Sequence, residues 1–495
     1  MTSLPAFALD LWALLPEVFL AGALGVLLSY GVAYSTSSAR AFPLLGRPTL
    51  GLALWSLFLT AGLVAHGPIA QALLCAQAFQ VDAATTWAKL LLLGATLGAG
   101  LLSGRDLARQ RLAAFEYGPL VLLAVLGMLC MVSSADLLTL YLSLELQGLC
   151  LYVLAALQRT SPFAAEAGLK YFLLGAFSSG VFLLGCSLLY GTTGTTQWHA
   201  LATLGFGGGQ TEVSPALLLG VLCLFVGLLF KLAAAPFHVW APDVYEGAPT
   251  PVTCFFAVAP KVALLAALMR LALQSFYEFA LPWQQGLLLC SLLSLLVGAL
   301  GALAQSHLKR LLAYSSIGHV GYMLLALACG TLEGAQALHL YLAFYLCTAL
   351  CSFGVLLALQ GVGGGRPRML SDLAQLGVAN PALAFTLAVA LFSMAGIPPL
   401  AGFLGKWAVF GAALGAQYYG LAVVGVLTSV VSCFYYLRLV QVLYFEPTTR
   451  WVSYHRPPWS AALVLGLALG ALLGAVLYPS PIFMGAHRAA LALCA

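Results

Sequence analysis

Long stretches of this sequence carry no charge. Ala216 to Phe230 has none, and from Pro381 to Gln417 the only charged side chain is Lys406. The 495 residues include 20 Lys+Arg and 15 Asp+Glu, so 7% of the chain is charged while 62% is hydrophobic. A soluble domain carries roughly 25% charged residues, and a disordered chain is poor in hydrophobic ones. Both classes are excluded. A bilayer-spanning helix needs about 20 mostly apolar residues, and these runs predict an all-α polytopic membrane protein.

A hydropathy window of about 19 residues places about fourteen spans. Their cores are 11–33, 47–66, 83–103, 116–133, 135–157, 168–190, 214–242, 252–275, 283–305, 310–330, 335–360, 382–413, 416–445 and 459–479. The longest connection is 191–213, where Gly205 to Gly209 reads as a flexible loop. Met1 to Ala21 holds Asp10 and Glu17 but no Lys or Arg, so it lacks the basic start of a secretory signal. The first apolar stretch is therefore expected to remain in the mature protein. The 12 Cys lie mostly in apolar runs and form no Cys-x-x-Cys pair, so no metal or iron–sulfur site is predicted. A net charge of +5 without a basic run gives nucleic acid nothing to bind.

Charge distribution orients the stack. Arg40, Arg47, Arg105, Arg109, Arg111, Arg159, Lys170, Lys309, Arg310, Arg366, Arg368, Arg450 and Arg456 fall on connections of one side. The other side has little beyond Lys89, Arg270 and Arg488. The positive-inside rule then puts both termini outside.

Of six lysines, Lys89, Lys170 and Lys309 lie near span ends, where a long side chain reaches the headgroups. Lys231, Lys261 and Lys406 do not, and Glu145 is an acid at mid-span. A charge at the bilayer centre costs roughly 2.5–3.5 kcal/mol on insertion scales. Four of them point to a proton or ion path, with a buried pair that only fixes helix packing as the alternative. Burial lowers a lysine pKa and a nearby carboxylate raises it, so a moving negative charge switches a lysine between holding and releasing a proton.

Two long spans are interrupted by proline near a lysine. One holds Lys231 and Pro236, the other Gly396, Pro398, Pro399 and Lys406. Proline removes a helix hydrogen bond, and breaks at membrane depth are tolerated where protein or a hydrated cavity satisfies the freed groups. The two breaks are five spans apart, so their segments cross in opposite directions, the pattern of inverted repeats. The expected division is an N-terminal three-helix segment (1–110), two five-helix repeats (111–281 and 282–446), and a last helix with its tail (447–495).

These residues resemble the antiporter-like subunits of proton-pumping NADH:quinone oxidoreductase, respiratory complex I, of the type called subunit 2 in mitochondria and subunit N in bacteria. The resemblance spans nearly the whole chain. It rests on Tyr141-Leu-Ser-Leu-Glu145-Leu-Gln-Gly, Glu166-Ala-Gly-Leu-Lys170-Tyr-Phe, Pro236-Phe-His238-Val-Trp-Ala-Pro-Asp243-Val-Tyr-Glu246-Gly-Ala-Pro, Lys309-Arg-Leu-Leu-Ala-Tyr314-Ser-Ser-Ile-Gly-His319-Val-Gly-Tyr and Gly396-Ile-Pro-Pro-Leu-Ala-Gly-Phe-Leu-Gly-Lys406. Several phrases are most similar to the plant and algal mitochondrial form.

The resemblance implies a hydrated axis in which Glu145 tunes Lys231, Lys261 is the central relay and Lys406 the terminal donor or acceptor. It implies supporting roles for His238, Tyr314 and His319, each set against a plain packing or helix-end role of equal weight. For Asp243 and Glu246 a proton-uptake role and a solvated loop stand equal, and His339 reads as a packing residue. No cofactor is expected in this chain. FMN, iron–sulfur clusters and ubiquinone would belong to partner subunits. The partners implied for this chain are the lipid bilayer and the other membrane-arm subunits, the sister antiporter-like subunits included. The implied location is the mitochondrial inner membrane, with termini on the intermembrane-space side, or alternatively a bacterial plasma membrane. Competing readings are a subunit of a multi-subunit cation/proton antiporter and a non-pumping structural subunit of complex I.

Overall fold

The computed structural model describes residues 6–36, 45–67, 72–110, 115–206, 214–361, 367–447 and 454–494. Arg40, Arg111, Arg366, Arg450 and Gly207 to Gly209 lie outside the described residues.

A short α1 (Ala6–Ala13) precedes α2 (Leu15–Ser35) and α3 (Gly46–His66). An antiparallel hairpin of β1 (Ala72–Leu74) and β2 (Phe79–Val81) then leads into α4 (Ala83–Arg109). Asp82 starts α4 sharply: its carboxylate accepts from Thr85 N–H and the Thr85 hydroxyl returns the contact, a capping box. There follow α5 (Tyr117–Ser133), α6 (Leu137–Ala155), α7 (Pro162–Thr193), α8 (Trp198–Phe206), α9 (Pro215–Leu232), α10 (Trp240–Gly247) and α11 (Thr250–Arg270). The second half runs through α12 (Ala280–Leu303), α13 (Leu308–Ala328), α14 (Leu332–Ala358), α15 (Leu376–Ala379), α16 (Pro381–Ala395), α17 (Ala401–Gly415) and α18 (Tyr419–Tyr444). It closes with α19 (Trp459–Leu477) and α20 (Ser480–Cys494).

Among the described residues, 12 helices are long and apolar enough to cross a membrane. With the shorter α5, and with α16 and α17 counted as one broken crossing, they correspond to the spans expected from hydropathy. The 191–213 connection differs: Trp198 to Phe206, including Gly205, form α8, because Gln197 pairs with Asp136 and anchors the segment.

Both breaks fall where proline placed them. α9 ends at Leu232 with Ala233 in the left-handed region at φ 59°, and α16 ends at Ala395 with Gly396 at φ 84°. A left-handed residue turns the chain off the helix axis, and Pro236 or Pro398 then prevents the helix from resuming. The seventh expected span, 214–242, therefore resolves into α9 and a separate α10 reaching Gly247.

Helices apolar all round are either lipid-facing or central, and packing decides between them. α11 and α14 are the central pair, with almost every residue buried. α11 packs on α4, α5 and α14, while α14 also meets α13, α16, α17, α19 and α20. Phe434, Leu467 and Val26, on the outer helices α18, α19 and α2, are exposed instead.

Candidate functional site: a buried line of lysines

Glu145 and Tyr152 lie seven residues apart on α6, two helical turns, and so on one face. Lys231, near the end of α9, lies between them. Its ammonium donates to the Tyr152 hydroxyl at 2.9 Å and stands 3.9 Å from Glu145 Oε1. The Lys231 side chain is 6% exposed and that of Glu145 28%. The expected carboxylate–lysine pair is brought together, with the tyrosine nearer than the acid.

Lys261 is buried on α11 directly after Pro260, a proline inside the helix. It donates to the Tyr345 hydroxyl at 2.8 Å, and that hydroxyl in turn donates to the Ala257 carbonyl at 3.2 Å. Proline weakens the ladder one turn back, and Tyr345 on α14 bonds within that turn. Lys406 on α17 donates to the Ala395 carbonyl at 2.8 Å, a group left free where α16 stops. Its ammonium also lies 5.2 Å above the Tyr322 ring, a cation–π distance.

His319 occupies the space between the last two lysines. Its Nδ1 meets the Tyr341 hydroxyl at 2.7 Å and its Nε2 the Tyr436 hydroxyl at 3.3 Å. Tyr436 also contacts the Ser315 hydroxyl. His319 lies within electrostatic range of both Lys406 and Lys261. Two cavities of about 10 Å³ each are lined by His319 and Lys406, one shared with Tyr341 and Tyr345, the other with Tyr322 and Tyr436. Each has room for about one water. A neutral imidazole donates from one nitrogen and accepts at the other, so His319 between two hydroxyls is able to take a proton on one side and give it up on the other.

The remaining candidates are more peripheral. His238 sits in the turn between α9 and α10, half-buried, and its Nδ1 meets no hydrogen-bonding partner among the described residues. Tyr314 lays its ring against Gly301 of α12. His339 donates from Nδ1 to Ala335 O, 2.9 Å away on its own helix. Asp243 and Glu246 join an ionic cluster at the ends of α7, α10 and α13: Lys170 meets Glu166 at 2.7 Å and Asp243 at 2.8 Å, Arg310 bridges Asp243 and Glu246, and His307 lies 3.2 Å from Glu246.

A family model described as NADH:quinone oxidoreductase/Mrp antiporter, TM, matches residues 134–432, which carry Glu145, Lys231, Lys261 and Lys406. NADH-ubiquinone oxidoreductase chain 2 of Marchantia polymorpha is 46% identical over 99% of this chain and 100% of its own length. NADH-quinone oxidoreductase subunit N of Rhodospirillum rubrum is 45% identical over 97% of this chain and 96% of its own. The chain belongs to the chain 2/subunit N family of NADH:quinone oxidoreductase. A chain in respiratory complex I from Thermus thermophilus with bound Aureothin superposes with a TM-score of 0.79 at 35% identity, covering 95% of this chain and 98% of that one. A chain of the Mrp complex from a Dietzia species shares the fold, with a TM-score of 0.82 at 22% identity over 98% of this chain and 97% of its own.

The structure adds residues that sequence reasoning passed over, and it corrects one placement. Lys89, expected to extend toward the headgroups, is instead buried on α4 and pairs with Glu17 of α2 at 2.6 Å, beside Leu63 and Val64 of α3. Arg270 is buried at the end of α11 and donates to both oxygens of Asp82 at 2.9 and 2.8 Å. Tyr152, Tyr322 and Tyr345 were missed. Their signal was available: a tyrosine inside an otherwise apolar span needs a partner for its hydroxyl, and each lies on a helix beside a buried lysine.

Proposed function

We propose that this chain is a proton-translocating membrane-arm subunit of NADH:quinone oxidoreductase. The reading is carried by the line Glu145–Lys231, Lys261, His319 and Lys406, in which Lys231, Lys261 and His319 each hydrogen-bond a tyrosine hydroxyl. NADH oxidation and quinone reduction would take place in partner subunits that hold FMN and iron–sulfur clusters, with no redox centre in this chain, and the sister antiporter-like subunits would be its neighbours in the membrane arm. Coupling would reach the chain as a change in charge or shape beside Glu145 and Lys231. A charge moved by a few ångströms in a poorly polarisable interior alters neighbouring proton affinities strongly. The two halves, 111–281 and 282–446, would act as inverted repeats, and both termini would face the intermembrane space or periplasm.

The test is the number of protons translocated per NADH oxidised in sealed vesicles holding assembled complex, for Lys231→Ala and Lys406→Ala. Both are expected to lower it. Full stoichiometry in both variants would leave a structural subunit as the better reading. The fold shared with the Mrp complex supports the second reading, a cation/proton antiporter subunit. A native gel separates the two: this chain should migrate in a very large NADH-active band, and a smaller NADH-inactive assembly would favour sodium or potassium exchange.

A further inference from the structure

Lys231 has two oxygen partners to choose between, and in this conformation it has taken the neutral one. The Tyr152 hydroxyl is at 2.9 Å, a hydrogen bond, while Glu145 at 3.9 Å is beyond one. The tyrosine is held firmly. Its ring meets Tyr171 edge-on at 4.8 Å and Phe172 at 5.8 Å. Tyr171 stacks on Trp240 at 4.6 Å, and the Trp240 indole donates to the carbonyl of Phe230, the residue before Lys231. The same aromatic cluster thus fixes the hydroxyl and the backbone that carries the ammonium.

Two glycines make the space. A Cβ on Gly148 would stand 3.2 Å from Lys231 Nζ and 3.4 Å from the Tyr152 oxygen, and one on Gly175 would stand 2.1 Å from that oxygen. The spacing Glu145, Gly148, Tyr152 on α6 recurs on α13, five crossings later, as Ser315, Gly318, Tyr322. The tyrosine is repeated and the carboxylate is not. On α13 the hydroxyl points elsewhere, donating to Gly425 O at 3.1 Å, and Lys406 lies over the ring.

We propose that Tyr152 is a positioning residue that holds the Lys231 ammonium off Glu145 and keeps the pair open; this rests on the proton-relay reading above. A tyrosine hydroxyl accepts from an ammonium and donates to a neutral amine, so it partners Lys231 in both protonation states. Glu145, an acceptor only, favours the charged state alone. Contact with Tyr152 therefore keeps release of the Lys231 proton accessible, and a shift of the ammonium by about an ångström onto Glu145 would lock the proton in place. No other hydroxyl has to move.

Tyr152→Phe keeps the aromatic clamp and removes only the oxygen. Assembled complex carrying it should translocate protons about ten-fold more slowly, the scale of one hydrogen bond to a charged group. In a Glu145→Gln background the same change should cost nothing further, since no carboxylate remains to capture the ammonium. Tyr322→Phe should have a much smaller effect. Gly148→Ala, whose methyl enters beside the ammonium, offers a second route should Tyr152→Phe fail to assemble; its loss should likewise vanish with Glu145→Gln. Wild-type translocation in Tyr152→Phe, or equal losses in both backgrounds, would overturn the positioning role. The relay reading has its own failure, normal stoichiometry in Lys231→Ala, so the two are told apart.

Discussion

A buried ammonium needs oxygen atoms around it, and in this chain hydroxyl and carbonyl oxygens supply them more than carboxylates do. Lys231 and Lys261 donate to tyrosines, Lys406 to the carbonyl at a helix break. A neutral partner serves a lysine without supplying a counter-charge, whereas a carboxylate in contact favours the charged form alone. His319 extends that logic with two ring nitrogens facing two hydroxyls. His319→Leu removes both contacts at once. If the imidazole is a proton stop, translocation in assembled complex should fall by roughly 10²-fold, the lower end of what a positioned acid–base group contributes. His319→Gln, which keeps a donor and an acceptor, should retain more. A packing role for His319 would be indicated by normal translocation in His319→Leu.

At the scale of elements, function depends on how a helix is stopped. α16 ends at Ala395 and α17 begins at Ala401, and the two lie close enough that a Cβ on Gly402 would stand 1.8 Å from the Ser393 carbonyl oxygen. Gly402 N–H donates to the Ser393 hydroxyl at 3.0 Å. Gly402→Ala must push α17 away from α16, and the clashing atom is backbone, so the cost should reach or exceed the ~1–3 kcal/mol usual for overpacking. The expected result is little assembled complex on a native gel, and what assembles should translocate poorly because Lys406 has left the Ala395 carbonyl. Normal assembly and pumping in this variant would show that α17 does not need that approach. These breaks were legible in the sequence, because proline and glycine write their backbone consequences directly. So were the four charges, since apolar surroundings make a lysine or glutamate conspicuous. Which tyrosine meets which ammonium was not. An aromatic residue is ordinary in a span, and only the packing of α6 against α9, or α14 against α11, shows which hydroxyl meets an ammonium. Lys89 was misplaced for a related reason: position along a span says how deep a residue lies, and not whether another helix covers it.

The whole molecule is tied together by two buried ion pairs that lie off the lysine line. Glu17–Lys89 joins α2 to α4, and Asp82–Arg270 joins the start of α4 to the end of α11. α11 also carries Lys261, nine residues and about 13 Å before Arg270. The N-terminal helices are thereby fastened to the element that holds the central lysine. Asp82 is 0% and Arg270 2% exposed, and removing one partner of a buried pair leaves a charge without compensation, at about 3–5 kcal/mol. Arg270→Leu should therefore lower the temperature at which the complex loses its NADH-active band on native gels, and Asp82→Leu should do the same. Because a buried pair replaced by well-packed apolar residues is often neutral, the double change should recover most of that loss. Proton translocation at permissive temperature should follow the same pattern, since α11 regains its position with either pairing. Additive losses in the double variant would instead show that Asp82 and Arg270 act separately, Asp82 as the cap of α4 and Arg270 through contacts of its own.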